Sequence, residues 1–436
     1  MLWDKLRSSF WFLPGVIVLT AVALALFLVQ LDTSLRQKEA LYAEWPMLLG
    51  SGAEGARSLL STVASSMITV AGVVFSITIV ALSLASNQYT SRVLRNFMRD
   101  RVNQAVLGLF VGIFAYCLMV LRTIRGAEET IFVPSLAVLV GLLLAFVGIG
   151  VLIYFIHHIA VSIQAVNILA EVAAESLNAV ERLFPEKLQL PEEEDGTAPD
   201  PAAVWSPVPA ADDGYLQSID IPAILAFGCK RDAVVRARIA VGEFAVAGTP
   251  LAWVTMPAPE QEGLEELAAC FALGRQRTVE QDLGFGIRQI VDVALKALSP
   301  GINDTTTAVM SIHYLTSILY RLDDRQISSR QCDEEGTLRW LGCGPSYERF
   351  VDDAFDQIRQ SADGNVAVLD ALLDALDLLV QRTASPPRRK VLREKIETVA
   401  EVAHATVETT RDRLRLDGRS ATILESLQSG TASSGN

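Results

Sequence analysis

The sequence predicts an α-helical membrane protein: four transmembrane helices, then a cytoplasmic α+β region with a small β barrel-sandwich-like module and a helical C-terminal part. Three observations predict it. The chain of 436 residues is 51% apolar, with mean hydropathy +0.34, too hydrophobic for an ordinary soluble protein and too polar to be membrane throughout. Its longest apolar runs all lie before residue 157, and each is about the twenty residues that a hydrocarbon core requires. Charge divides at the same place. Residues 1–156 carry 11 basic and 8 acidic side chains and the remainder 26 and 42, so the net charge changes from +3 to −16. An acidic second half excludes nucleic acid as a partner, since that surface has to be basic.

The expected spans are 10–31, 59–86, 104–121 and 132–156. The first follows Lys5 and Arg7. It is longer than a signal-peptide core and ends at Gln30-Leu31-Asp32 with no small-residue cleavage site, so it is read as a retained anchor. The second carries a pattern. Thr62, Ser66, Thr69, Val73, Ser76, Val80, Ser83, Asn87 and Thr90 recur at alternating steps of four and three, which places them on one helical seam roughly 42 Å long. Of the 12 serines and threonines between 58 and 91, six fall on these nine positions, twice what an even spread would place there. Two readings stand: a helix face that meets water or ions, or helix–helix packing through small hydroxylated residues that bond to the preceding turn.

Arg92, Arg95, Arg99 and Arg101 follow the seam and form a basic mouth. Together with Lys5 and Arg7 they outweigh the more dispersed Arg36, Lys38, Arg57, Arg122 and Arg125. By the positive-inside rule both termini are then cytoplasmic, in a bacterial inner membrane. His157 and His158 close the fourth span. Adjacent helical positions point about 100° apart, so the pair is read as interfacial rather than metal-binding. Helical spacing of Ile159, Ile163, Val166, Leu169 and Val172 extends this helix to Leu183.

The remaining expectations are an acidic, proline-rich linker (185–213), the β module (214–256), a helical domain (257–416) and a disordered Ser/Gly-rich tail (417–436), after a transmembrane domain with its extension (1–184). The run Val241 to Leu251 resembles half of a biotinyl- or lipoyl-like domain, but Lys230 lies in Gly-Cys-Lys-Arg without the carrier motif, so the module is read as structural. A hairpin-like insert is expected at about 328–345. The five cysteines are scattered with no Cys-x-x-Cys pair, supporting neither a zinc site nor a disulfide framework. No cofactor is implied.

The most distinctive soluble segment runs from Arg275 to Leu322. Ile287, Ile290, Val291, Ala294, Leu295 and Leu298 mark one amphipathic helix, and Ser299-Pro300-Gly301 stops it. Asn303 or Asp304 caps the next helix, and Gly301 is expected at positive φ. Pro300, Gly301, Asn303 and Asp304 are thus read as a structural turn. Glu280, Asp282, Asp292, Asn303, Asp304 and His313 are alternatively an oxygen-rich cation set, and the carboxylates are alternatively ion pairs with Arg275 and Arg277.

The stretches Arg277-Thr278-Val279-Glu280-Gln281-Asp282, Phe285-Gly286-Ile287-Arg288-Gln289 and Ala297 to Asp304 resemble a bacterial family of predicted membrane proteins of unknown function (DUF2254). Ser8-Ser9-Phe10-Trp11-Phe12 and Ser86-Asn87-Gln88-Tyr89 are similar too. The resemblance covers most of residues 1–415 and implies membrane location and fold, with no activity to carry over. In the family pattern proline follows the Asn-Asp pair, where this chain has Thr305.

No phosphate loop, nucleophile elbow or His-Glu-x-x-His is present, so an enzyme is the weakest reading. A homo-oligomeric channel fits the seam: hydroxyls solvate ions, Val73 and Val80 form dewettable rings, and the basic mouth favours anions. A membrane-anchored sensor or scaffold, whose cytoplasmic half binds a partner, fits the large soluble part. Membrane lipids are partners in either case.

Overall fold

The computed structural model describes residues 11–35, 52–88, 100–125, 132–185, 204–256, 260–279, 281–327 and 330–432. The chain forms two compact units, Met1–Asn167 and Ile168–Asn436.

The first unit holds α1 (Phe12–Leu35), α2 (Ala53–Gln88), α3 (Arg101–Thr123) and α4 (Ser135–Ser162), each with a stretch long and apolar enough to cross a membrane. Hydrocarbon supplies no hydrophobic force between helices, so tight packing has to come from small side chains. Gly108 and Gly112 of α3 provide it against α1. A Cβ at Gly108 would stand 2.8 Å from Pro14 Cα, and one at Gly112 3.4 Å from Ala21 Cβ. On α4, Gly141 and Gly148 do the same: added Cβ atoms would lie 2.9 Å from Leu60 and 3.1 Å from Met67 of α2.

Polar contacts hold both ends of this bundle. Pro134 precedes α4 and has no side chain to cap it; the buried Asp32 of α1 does so instead, accepting from the Leu136 and Ala137 N–H groups at 3.0 and 3.2 Å. Nearby, Arg57 donates to the Ile124 carbonyl at 2.9 Å and the Tyr116 hydroxyl to the Ala137 carbonyl at 2.7 Å. At the opposite end Asp100 caps α3 through the Val102 N–H and meets His158 Nε2 at 2.6 Å. The helix expected to run through Leu183 is broken at Ile163-Gln164, where Asn167 Nδ2 donates to the Val161 carbonyl and competes with the helical ladder. It resumes as α5 (Ala165–Leu183).

The second unit takes in α5 from Ile168 onward and two sheets. The strands β1 (Trp205–Pro209), β2 (Gly214–Ile219), β3 (Val235–Ala237), β4 (Phe244–Ala245), β5 (Pro250–Thr255) and β6 (Phe271–Gly274) are joined by α6 (Ile221–Arg231) and α7 (Gln261–Ala269). Two more, β7 (Arg330–Cys332) and β8 (Leu338–Leu341), come from much later in the chain. One sheet has the order β1-β5-β3-β8-β7 and the other β4-β2-β6. Both are open and no barrel closes among the described residues: the α+β region holds two small sheets, and the barrel-sandwich detail is not borne out. The linker is shorter than expected, because β1 lies inside 185–213 and pairs antiparallel with β5. Its two prolines suit an edge strand, which needs no donors on its outer side. The hairpin expected at 328–345 is present, β7 pairing antiparallel with β8, and it joins the larger sheet: β8 runs parallel to β3 and buries Trp340 against Phe271.

The helical part comprises α8 (Leu283–Ala297), α9 (Thr305–Leu322), α10 (Tyr347–Gln360), α11 (Val366–Arg382), α12 (Pro386–Thr406) and α13 (Thr410–Ala432). The tail expected to be disordered from 417 is largely α13. Leu416, Ile423 and Leu427 form its buried stripe, and Arg419 pairs with Asp370 and Asp374 of α11. Burial of that stripe, together with two ion pairs, outweighs a weak helix former such as Gly418.

Candidate functional site

The sequence singles out two places, the seam of α2 and the turn between α8 and α9. On α2 the bundle uses one face: Ala56, Leu60, Ala64, Met67, Ala71, Val74 and Ala81 are buried. At about 100° per residue the seam lies roughly opposite that face. Thr62, Ser66, Thr69, Ser76 and Ser83 are exposed, as are Val73 (49%) and Val80 (56%). Packing within the chain therefore does not account for the hydroxyls. Thr62 and Thr69 donate their hydroxyl protons to the Ser58 and Ser65 carbonyls, both at 2.8 Å, which lowers the cost of exposing a hydroxyl to lipid. The same bonds leave the oxygens able to accept from a solute or a neighbouring helix. Ile68, Phe75, Ile79 and Leu84 flank the seam and are also exposed. Asn87 lies in the last turn of α2, where its side chain is outside the described residues; Thr90, Arg92, Arg95 and Arg99 are outside them altogether. Arg101 opens α3 and is exposed.

At the second place, Leu298 ends α8 and the chain turns through Ser299-Pro300-Gly301-Ile302. Asn303, at φ 50°, takes the left-handed conformation, whereas Gly301 was expected to. Asparagine is among the few side chains that tolerate this region, and the turn closes around it: the Asn303 N–H donates to Ser299 O and the Asp304 N–H to Ala297 O at 2.8 Å. Asp304 then caps α9, accepting from the Thr307 hydroxyl at 2.6 Å and the Thr307 N–H at 3.0 Å. Those two bonds hold its carboxyl below the usual range. Asn365 at the start of α11 donates to Thr305 at 2.8 Å, tying the turn to a third helix.

The acids of the cation alternative are dispersed among other tasks. Asp282 is buried, forms a two-pronged pair with Arg277 at 2.7 and 3.0 Å, and caps α8 at Phe285. Asp292 pairs with Arg288 at 2.7 Å. His313 lies in a surface groove with Thr316, Tyr320 and Asp374, and Glu280 is outside the described residues. Three or more metal-ligating side chains gather nowhere among the described residues.

The quoted motif thus works as a clasp. Gln281 accepts from the Ile219 N–H of β2 at 2.9 Å. Gly242, at φ 92°, brings its backbone so near Asp282 and Arg277 that a Cβ there would stand 2.3 Å from the carboxylate. Only glycine serves both conditions. Gly286 lets Ser176 of α5 approach α8 in the same way.

A model of predicted membrane proteins (DUF2254) matches residues 7–377, which span the whole bundle and the clasp. The chain belongs to this family. It is 33% identical over 429 residues to uncharacterized proteins of Mycobacterium tuberculosis and Mycobacterium bovis, covering 97% of this chain and 81% of each relative. No solved structure matches. Family membership agrees with the four apolar helices in making this a membrane protein.

Sequence reasoning missed the contacts that fix the bundle: Asp32 at the start of α4, Asp100 as the partner of His158, and the close approach at Gly108 and Gly112. The Gly-x-x-x-Gly spacing inside an apolar run was the available signal for the last. Leu136 and Ala137, which donate to Asp32, are more than a hundred residues away, and local pattern carries no sign of them.

Proposed function

We propose that the protein is a homo-oligomeric channel of the bacterial inner membrane in which the exposed face of α2 from several copies lines a shared path. The observation that carries this reading is the exposure of every described seam side chain, in a membrane helix, on the side its own bundle leaves unused. Hydroxyl oxygens replace part of an ion's hydration, and Val73 and Val80 supply apolar rings that stay dry when the path is closed. Both termini are cytoplasmic in this reading, which puts the basic mouth on that side. The role is non-catalytic.

Purified full-length protein in a planar bilayer tests it. Val80→Ser lets water wet one of the two apolar rings and should raise resting conductance above that of wild type. Leu82→Ser, half-buried and off the seam, should not. Silence from both wild type and Val80→Ser, with the oligomer intact, would leave the seam a packing surface.

A membrane-anchored sensor or scaffold is the second reading. It is favoured by the size of the Ile168–Asn436 unit, which has its own core around Val235, Leu251 and Val254. It predicts retention of a partner by that unit and no conductance.

A further inference from the structure

The face of α1, α3 and α4 at the Arg101 end of the bundle contains a groove of about 580 Å³. That lies within the ~300–1,000 Å³ typical of small-ligand sites, in a class of structure that otherwise packs without voids. Its floor is apolar: Leu13 and Ile17 of α1, Ala105 and Leu109 of α3, and Val151 of α4. Its two polar residues, Arg101 and Tyr154, are the types that sit where hydrocarbon gives way to headgroups.

We propose that this groove binds one anionic phospholipid, with the phosphate at Arg101 and an acyl chain along Ala105 and Leu109. Length selects the occupant. Arg101 and Leu109 are eight helical rises apart, about 12 Å, close to the depth of one leaflet's hydrocarbon. A helix from another subunit would need a groove of about 30 Å, the whole hydrocarbon thickness. Charge selects the headgroup. Arg101 is the first residue of a 23-residue helix, so the positive end of the helix dipole adds to its guanidinium. The neighbouring acid, Asp100, is engaged by the Val102 N–H at 2.8 Å and by His158 at 2.6 Å. Tyr154 stacks on that histidine with ring centroids 5.9 Å apart, which fixes the rim of the groove. Three further arginines at 92, 95 and 99 precede the site in sequence and favour an anionic surface there. The inference rests on the membrane assignment and is independent of the pore.

The test uses full-length protein in phosphatidylcholine vesicles doped with phosphatidylglycerol that carries a photoactivatable diazirine on one acyl chain. Adducts should map to 13–17, 101–109 or 151–154. Unlabelled phosphatidylglycerol should compete them away and unlabelled phosphatidylcholine should not. Arg101→Gln should lower the yield about fivefold, as expected for one basic side chain at an anionic surface. Arg122→Gln, at the other end of α3, should leave it unchanged, and Ala105→Trp should block the groove. Circular dichroism confirms that each variant is folded. Adducts spread evenly around the bundle, competition by phosphatidylcholine, or a yield indifferent to Arg101→Gln would each overturn the proposal.

Discussion

Asp304 shows how a single carboxylate positions two helices. It accepts two bonds from Thr307, and its own N–H reaches back to Ala297. Replacing it with alanine should cost about 1 kcal/mol, and with asparagine far less, because asparagine keeps an acceptor at the cap. Denaturation followed through Trp205, Trp253 and Trp340, all in the second unit, measures this. The effect also has a pH signature. The folded carboxyl titrates below its unfolded value of about 3.9. Its contribution is therefore fully present above that value and is lost as pH falls through the lower folded value. The gap between wild type and Asp304→Ala should narrow in that acid range and stay constant near neutrality. The cap itself was legible in the sequence, since an aspartate three residues before a threonine at a helix start is a local pattern. The positive φ was not placed correctly. Glycine was the default choice for it, yet the residue that has to turn left-handed is the one directly before the cap, and asparagine suffices there.

At the scale of elements, the membrane helices were readable because apolar length is a local property, and the structure moves their ends by only a few residues. Their packing was less readable, though Gly108 and Gly112 offered a signal. Gly108→Leu should wedge α1 from α3 at Pro14 and Ile17 and destabilise the bundle by about 1–3 kcal/mol, read as a lower melting temperature in detergent. Gly150→Leu, an α4 glycine with open space around it, should leave melting nearly unchanged. The sheets show the opposite case. Strand β8 joins β3 from about a hundred residues away, and β1 lies in a stretch whose prolines and acids read as linker. Long-range pairing leaves no trace in local periodicity, so the small β module expected at 214–256 lacked the strands that β1 and β8 add from outside it. The tail erred for a related reason. Its Ser and Gly content was weighed above the spacing of Leu416, Ile423 and Leu427, which lie on one helical face.

For the whole molecule, the central claim is that the α2 seam meets water in an assembly of several copies. Cysteine substitution along 66–83, in a chain stripped of its five native cysteines, tests this most directly. The substituted chain is held in membrane vesicles open to a water-soluble, membrane-impermeant thiol reagent. Ser34→Cys, in the last turn of α1, serves as the orientation control: in intact cells it should react from outside if both termini are cytoplasmic. A water-lined seam predicts fast modification at positions 66, 69, 73, 76 and 80 and none at 68, 75 and 79, although all eight are exposed in the single chain. No modification at any of them, with the Ser34→Cys control labelled, would contradict the claim and leave the hydroxyls to helix packing or lipid.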